Sequence, residues 1–107
     1  MTWSESGYVD CLTSERRGYA WVMEHHGGVM PEEARKAAVE WYPYQPAGTP
    51  FRGLVFHDEA WHWAMTAIHG DRYVVDHPEL VHPSPEYAAP PDPSEDAGAW
   101  AREGIPL

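Results

Sequence analysis

The chain has 107 residues, enough for one domain with a small hydrophobic core and too few for two. Seventeen acidic residues against seven Lys and Arg give a formal charge of -10 at pH 7. That charge repels phosphate backbones and anionic lipid, so neither nucleic acid nor membrane is an expected partner and a basic or neutral protein surface is favoured.

Cys11 is the single cysteine and has no internal disulfide partner, and the opening MTWSESGYVD carries neither a basic start nor a long apolar run. The expected location is therefore cytoplasmic. Asp10 is the expected N-cap of a first helix over Cys11 to His26, with Leu12, Tyr19, Val22 and Met23 near one face and Gly27-Gly28 as its stop. Pro31 in a first turn, Glu32 and Glu33 behind it, and Ala34, Ala37, Ala38 and Trp41 at helical spacing predict a second helix ending before Pro43.

The run PYQPAGTP over residues 43–50 reads as a loop. Phe51 to His57, Ala60 to Ile68 and Arg72 to Asp76 then read as three antiparallel strands, separated by Asp58-Glu59 and His69-Gly70. Helices followed by sheet predict an α+β fold: two N-terminal helices, a three-stranded antiparallel sheet and a Pro-rich acidic C-terminal arm. The domain is placed at residues 1–77 and the arm, partly extended, at residues 78–107. Pro78, Pro83, Pro85, Pro90, Pro91 and Pro93 break regular structure in the arm, Tyr87 and Trp100 are its packing points, and Ser94 to Arg102 is a candidate short helix.

One catalytic constellation is available. Cys11, in the first turn of a helix, would gain thiolate character from the positive dipole end. His62 lies between Trp61 and Trp63, and alternation sends it to the face opposite the two indoles. Its agreement with Asp76 depends on the turn: a two-residue loop at His69-Gly70 sets Trp63 opposite Asp76, whereas a three-residue loop from Ile68 to Gly70 sets His62 opposite Asp76. The residue types also fit plainer roles, with Cys11 as a small core filler, His62 as a bonded structural group and Asp76 as a strand-end cap.

With Cys11 heading a helix that ends in GG, the H-W-A run at His62 and the YVVD run ending at Asp76, the order Cys, His, Asp resembles the papain-like and transglutaminase-like cysteine enzymes. The resemblance implies Cys11 as nucleophile, His62 as general base and then acid, Asp76 as the group that fixes the imidazole tautomer, and an acyl-enzyme intermediate.

Metal and cofactor readings are disfavoured. HDEAWH is not the HExxH pattern, because His57 and His62 are five apart, and the HxE-like triplet at His57 has no downstream CxxC. No nucleotide fingerprint is present, so no cofactor is expected. The reading placed first is a small acidic binding or regulatory module, with Trp3, Trp41, Tyr42 and Tyr44 as candidates for an exposed aromatic patch, although Trp41 also fits the core. The cysteine hydrolase or acyltransferase is the alternative.

Overall fold

The computed structural model describes residues 3–88 and 100–106, and these are helical or irregular, with no strand among them. The α+β class and the three-stranded sheet are corrected accordingly: the protein is an all-helical bundle. In chain order it holds α1 (Glu5–Gly27), α2 (Pro31–Trp41), α3 (Ala60–His69) and the single-turn helices α4 (Tyr73–Asp76) and α5 (Pro85–Ala88). Short 3₁₀ segments lie at Leu54–His57, Pro78–Leu80 and Trp100–Arg102.

α1 begins six residues earlier than expected. Ser4, not Asp10, is its N-cap, accepting a hydrogen bond from the Gly7 N–H at 3.1 Å, and Glu5 lies in the first turn where the dipole favours an acid. Gly28 closes it at the other end, behind His25 and His26. α2 spans Pro31–Trp41 with Glu32 and Glu33 in its first turn, as its pattern predicts, and buries Ala34 and Ala38 against α1. These small side chains let the two helix axes approach closely.

The segment read as the second strand is α3. Two periods coexist in AWHWAMTAIH: the alternation of Trp61, His62 and Trp63 suggests a strand, but Ala60, Trp61, Ala64, Met65 and Ile68 recur at i, i+1, i+4, i+5 and i+8. The helical stripe prevails. Ala60, Trp61, Ala64 and Met65 are buried and Ile68 packs beside them. The supposed hairpin glycine, Gly70, is the C-cap, with φ 94° and its N–H on the Thr66 carbonyl. YVVD is one helical turn, whose Tyr73 reaches the core while Val74 and Val75 face outward. The first expected strand is instead a chain of tight turns from Thr49 that runs into the 3₁₀ segment Leu54–His57.

α1 is the hub. α2 and α3 pack on it, and so do α5 and the segment at Trp100–Arg102. Within residues 78–107, expected as an arm, Tyr87 and Trp100 pack against the core and Ala101 is fully buried. The expected helix from Ser94 lies mostly outside the described residues, and its described end is the 3₁₀ turn Trp100–Arg102.

The C-terminal segment is fixed by Arg16, a fully buried guanidinium on α1. Its Nε donates to the Tyr42 carbonyl at the end of α2 (2.9 Å), and Nη1 donates to the Ala101 and Glu103 carbonyls (2.8 and 2.9 Å). Arg16→Ala strands these buried carbonyls, so it is expected to lower unfolding stability by about 3 kcal/mol. A urea denaturation midpoint shifted down, with the slope unchanged, checks this.

Candidate functional site

The three residues of the expected catalytic site stand on three different helices. Cys11 is the seventh residue of α1 and not in its first turn, so the helix start that would polarise a thiolate belongs to Ser4, Glu5 and their neighbours. Its thiol is pushed above the ordinary 9.0, first by burial and then by the carboxylate of Glu15 four residues on. Both effects favour the neutral thiol, opposite to what a nucleophile needs.

His62 lies in the first turn of α3, half-exposed, with Nδ1 2.7 Å from the Tyr73 hydroxyl and Nε2 3.4 Å from Asp58 Oδ2. Asp58 in turn accepts the Glu59 N–H at 2.9 Å through its other oxygen. Asp76 ends α4 with its side chain exposed. Among the described residues no hydrogen bond or ion pair joins any two of Cys11, His62 and Asp76. With both strands replaced by helices, the choice between hairpin registers no longer arises.

The arrangement His62 does enter, Asp58–His62–Tyr73, ties the start of α3 to α4. Tyr73 is 1% exposed, so its hydroxyl is shielded from solvent. The i, i+4 spacing of Asp58 and His62 was the available sequence signal for half of it, hidden by the strand reading. Two other histidines bond locally: His57 Nδ1 donates to the Leu54 carbonyl (2.7 Å) and His25 Nδ1 to the Trp21 carbonyl (2.8 Å). Among the described residues no group of three or more His, Cys, Asp or Glu is placed to hold a metal ion.

The start of α3 is closed from inside the bundle. Glu15 accepts a hydrogen bond from the Tyr42 hydroxyl (3.5 Å), and the backbone N–H groups of Ala60 and Trp61 favour the charged forms of Glu15 and Tyr87 respectively. Burial, the largest cause, holds the Glu15 carboxyl above its ordinary 4.5, and burial pushes the Tyr87 phenol up to about 12. N–H groups at a helix start favour negative charge, and at these two the carboxyl of Glu15 and the hydroxyl of Tyr87 are the groups that feel it.

The outward-facing feature is a knuckle at residues 49–54. The Arg52 N–H bonds the Thr49 carbonyl (3.1 Å) in a turn that puts Phe51 at φ 59°, a conformation an L-residue occupies at a cost of about 1 kcal/mol or more. The phenyl ring is 80% exposed, with Leu54 61% and Trp3 39% exposed beside it. Trp3 packs so closely on Gly53 that a Cβ there would meet the indole nitrogen at 2.5 Å.

The knuckle is rigidly held to α1. Arg52 Nη2 pairs with Glu5 at 2.6 Å, Nε donates to the Gln45 carbonyl at 2.7 Å, and the guanidinium lies 3.9 Å from the centre of the Tyr8 ring. Gln45 receives the Gly53 N–H on its side chain and gives its own N–H to the Tyr8 hydroxyl, both at 2.9 Å. Of the aromatic residues proposed for an exposed patch, Trp3 and Trp41 are partly exposed, Tyr44 is half-buried and Tyr42 is fully buried. Phe51 was missed because an aromatic residue after Pro50 reads as the start of a strand.

Comparison with family models, with curated proteins and with solved structures finds no match to this chain.

Two measurements follow from these environments. Iodoacetamide is expected to label Cys11 more slowly than a free cysteine at pH 7.5, with labelling accelerated by urea; fast labelling of the folded protein would contradict the half-buried, acid-flanked thiol. For Glu15, a carboxyl raised in the folded state binds its proton more tightly there than in the unfolded chain, so it withdraws stability as pH rises from 4.5 through the folded value. Glu15→Gln keeps an acceptor for the Ala60 N–H without that penalty. The stability of the variant relative to wild type is expected to grow between pH 4 and pH 7, read from denaturation midpoints.

Proposed function

We propose that this protein is a small acidic binding module that docks on a basic protein surface, inserting the Phe51 knuckle into an apolar pocket rimmed by cationic side chains. The observation that carries the reading is Phe51: a bulky residue held in a left-handed conformation with its ring in solvent. Isolated exposed apolar side chains, such as Met30 and Val75 here, are ordinary on any protein. An exposed phenyl on a strained, clamped backbone is not, because a glycine at that turn position would relieve the strain and lose only the ring.

Charge supplies the complementarity. The chain carries -10, one of its few cations, Arg16, is buried, and Arg52 within the knuckle is matched by Glu5. A partner surface of opposite sign would be steered to it, and the pre-formed knuckle would contribute affinity with little ordering cost. The lone cysteine supports a cytoplasmic location for this encounter; no helix among the described residues is long and apolar enough to cross a membrane.

Phe51→Gly separates a binding role from a structural one. Stability is expected to hold or to rise by up to about 1 kcal/mol, since strain is removed and little buried area is lost. A photo-reactive phenylalanine analogue at position 51, in cells that make the protein, is expected to cross-link to one basic protein. The adduct should vanish with Leu54→Asp and weaken at raised salt, and the same analogue at exposed Glu32 should give none. A destabilised Phe51→Gly, or equal cross-linking from both positions, would refute the reading.

A further inference from the structure

We infer that His69 and His77 form a two-imidazole site for a zinc-type divalent ion, a clip across the turn that joins α3 to the 3₁₀ segment Pro78–Leu80. The two residues are eight apart in sequence, so no short ligand motif announces them. In the fold their ring centres lie 4.5 Å apart with the ring planes tilted by 41°, which is not a face-to-face stack. An imidazole bound at the usual zinc–nitrogen distance has its ring centre about 3.2 Å from the ion, so two of them, at angles from square to tetrahedral, stand about 4.5 to 5.2 Å apart. The observed separation falls at the short end of that range.

The ring nitrogens of the pair are unspent. His25, His57 and His62 each commit Nδ1 to a carbonyl or hydroxyl oxygen, whereas among the described residues no hydrogen bond uses a ring nitrogen of His69 or His77. A carboxylate oxygen of Glu79 lies 3.9 Å from His77 Nδ1, beyond hydrogen-bond reach, and adds negative charge beside the pair. His26, at the end of α1, feels the charge of His69, but its ring is set against the Trp61 and Trp21 rings at 5.1 and 6.0 Å. The chain therefore supplies two ligands and no third, with the remaining positions left to water.

Backbone, and no bond between the rings, sets the pair. His69 ends α3 and His77 caps α4, and the connection is fixed by the Tyr73 N–H on the Gly70 carbonyl (3.2 Å), the His77 N–H on the Tyr73 carbonyl (2.7 Å) and the buried Tyr73 side chain. Two preplaced ligands hold one ion more tightly than either alone, because the second meets it at high effective concentration. Imidazole suits zinc, a cation at the end of α3 lies at the negative end of the helix dipole, and the charge of -10 draws cations to the surface. His69 is exposed and His77 half-buried, so an ion reaches both. Once bound, it ties the end of α3 to the segment whose Leu80 carbonyl accepts the Trp61 indole N–H at 2.7 Å, and so stabilises the folded chain.

The test titrates the full chain with Zn²⁺ alone in a buffer that does not bind metal. Calorimetry is expected to give one tight equivalent per chain, weakened at least about tenfold by His69→Gln and equally by His77→Gln, and unchanged by His82→Gln, an exposed histidine nearby in the chain. In wild type the ring-nitrogen resonances of His69 and His77 are expected to move together and to saturate at that one equivalent, a readout that needs no variant to fold. Excess Zn²⁺ should raise the thermal midpoint of wild type and of His82→Gln, and leave the two site variants unmoved. The inference fails if wild type binds no Zn²⁺, if either site variant binds as tightly as wild type, or if His82→Gln weakens binding as much as they do. It also fails if the resonances that move belong to other histidines, or if His69 and His77 respond separately, as two unconnected surface imidazoles would.

Discussion

Arg16 buries a full positive charge in a bundle that offers it carbonyl groups as hydrogen-bond acceptors, and the fold is arranged around that necessity. Desolvating a guanidinium costs several kcal/mol unless its donors are satisfied, and burial draws its proton affinity down accordingly. The acceptors come from two separate parts of the chain. The Tyr42 carbonyl lies just past the end of α2, at the negative end of that helix dipole, and the Ala101 and Glu103 carbonyls belong to the C-terminal segment. A planar fork of donors meets these directions at once; a lysine, with one nitrogen, would not. The positions of α2 and the C-terminal segment on α1 are thus set by one side chain.

The neighbouring residue on α1 carries the opposite charge and meets the same Tyr42. Glu15 accepts from the Tyr42 hydroxyl and interacts with the Ala60 N–H at the start of α3, where Tyr87 from α5 interacts with the Trp61 N–H. Tyr42 therefore touches both systems, its carbonyl on Arg16 and its hydroxyl near Glu15, with burial raising its phenol well above the usual range. Gly18 makes the closure spatially possible: a Cβ there would lie 2.6 Å from the Tyr87 hydroxyl and 3.3 Å from the Ala60 side chain. The buried polar groups of Glu15, Arg16 and Tyr42 serve to position helices.

These particulars explain what the sequence does and does not disclose. α2 is legible because Pro31, the acids behind it and the alanine spacing all agree, and Gly27-Gly28 mark the end of α1 correctly. The start of α1 is misread because Asp10 and Ser4 are both good caps, and Gly7 between them weakens the helical pattern without breaking it. α3 is misread because its two indoles flank a histidine in apparent alternation, while its helical stripe relies on alanines whose burial depends on what α1 places opposite them. The Cys, His, Asp order then inherits the error: a face shared by His62 and Asp76 requires paired strands, and α3 and the single-turn α4 supply none. The Phe51 conformation is not legible, since no local rule expects a phenylalanine where a turn prefers glycine, and the clamp that enforces it comes from Glu5 and Tyr8 some forty residues earlier.

On the binding role proposed above, what the molecule would offer a partner is its charge and one knuckle. Its thiol is pushed toward the neutral form, Glu15 and Tyr87 stand at the start of α3, and the hydroxyl nearest its half-exposed histidine is buried. The proposed role rests on the field of the whole molecule and the shape of that knuckle. They act at different ranges: a charge of -10 biases approach over distances comparable to the Debye length, about 8 Å at physiological salt, whereas the Phe51 ring and its neighbours act only on contact. Charge of this kind governs how often a partner arrives, and a rigid apolar anchor governs how long it stays. A flexible loop could expose a phenylalanine without strain, but it would lose ordering entropy on every encounter. The Arg52 and Gln45 clamp removes that cost in advance, and the left-handed turn at Phe51 is the local strain that the clamp sustains.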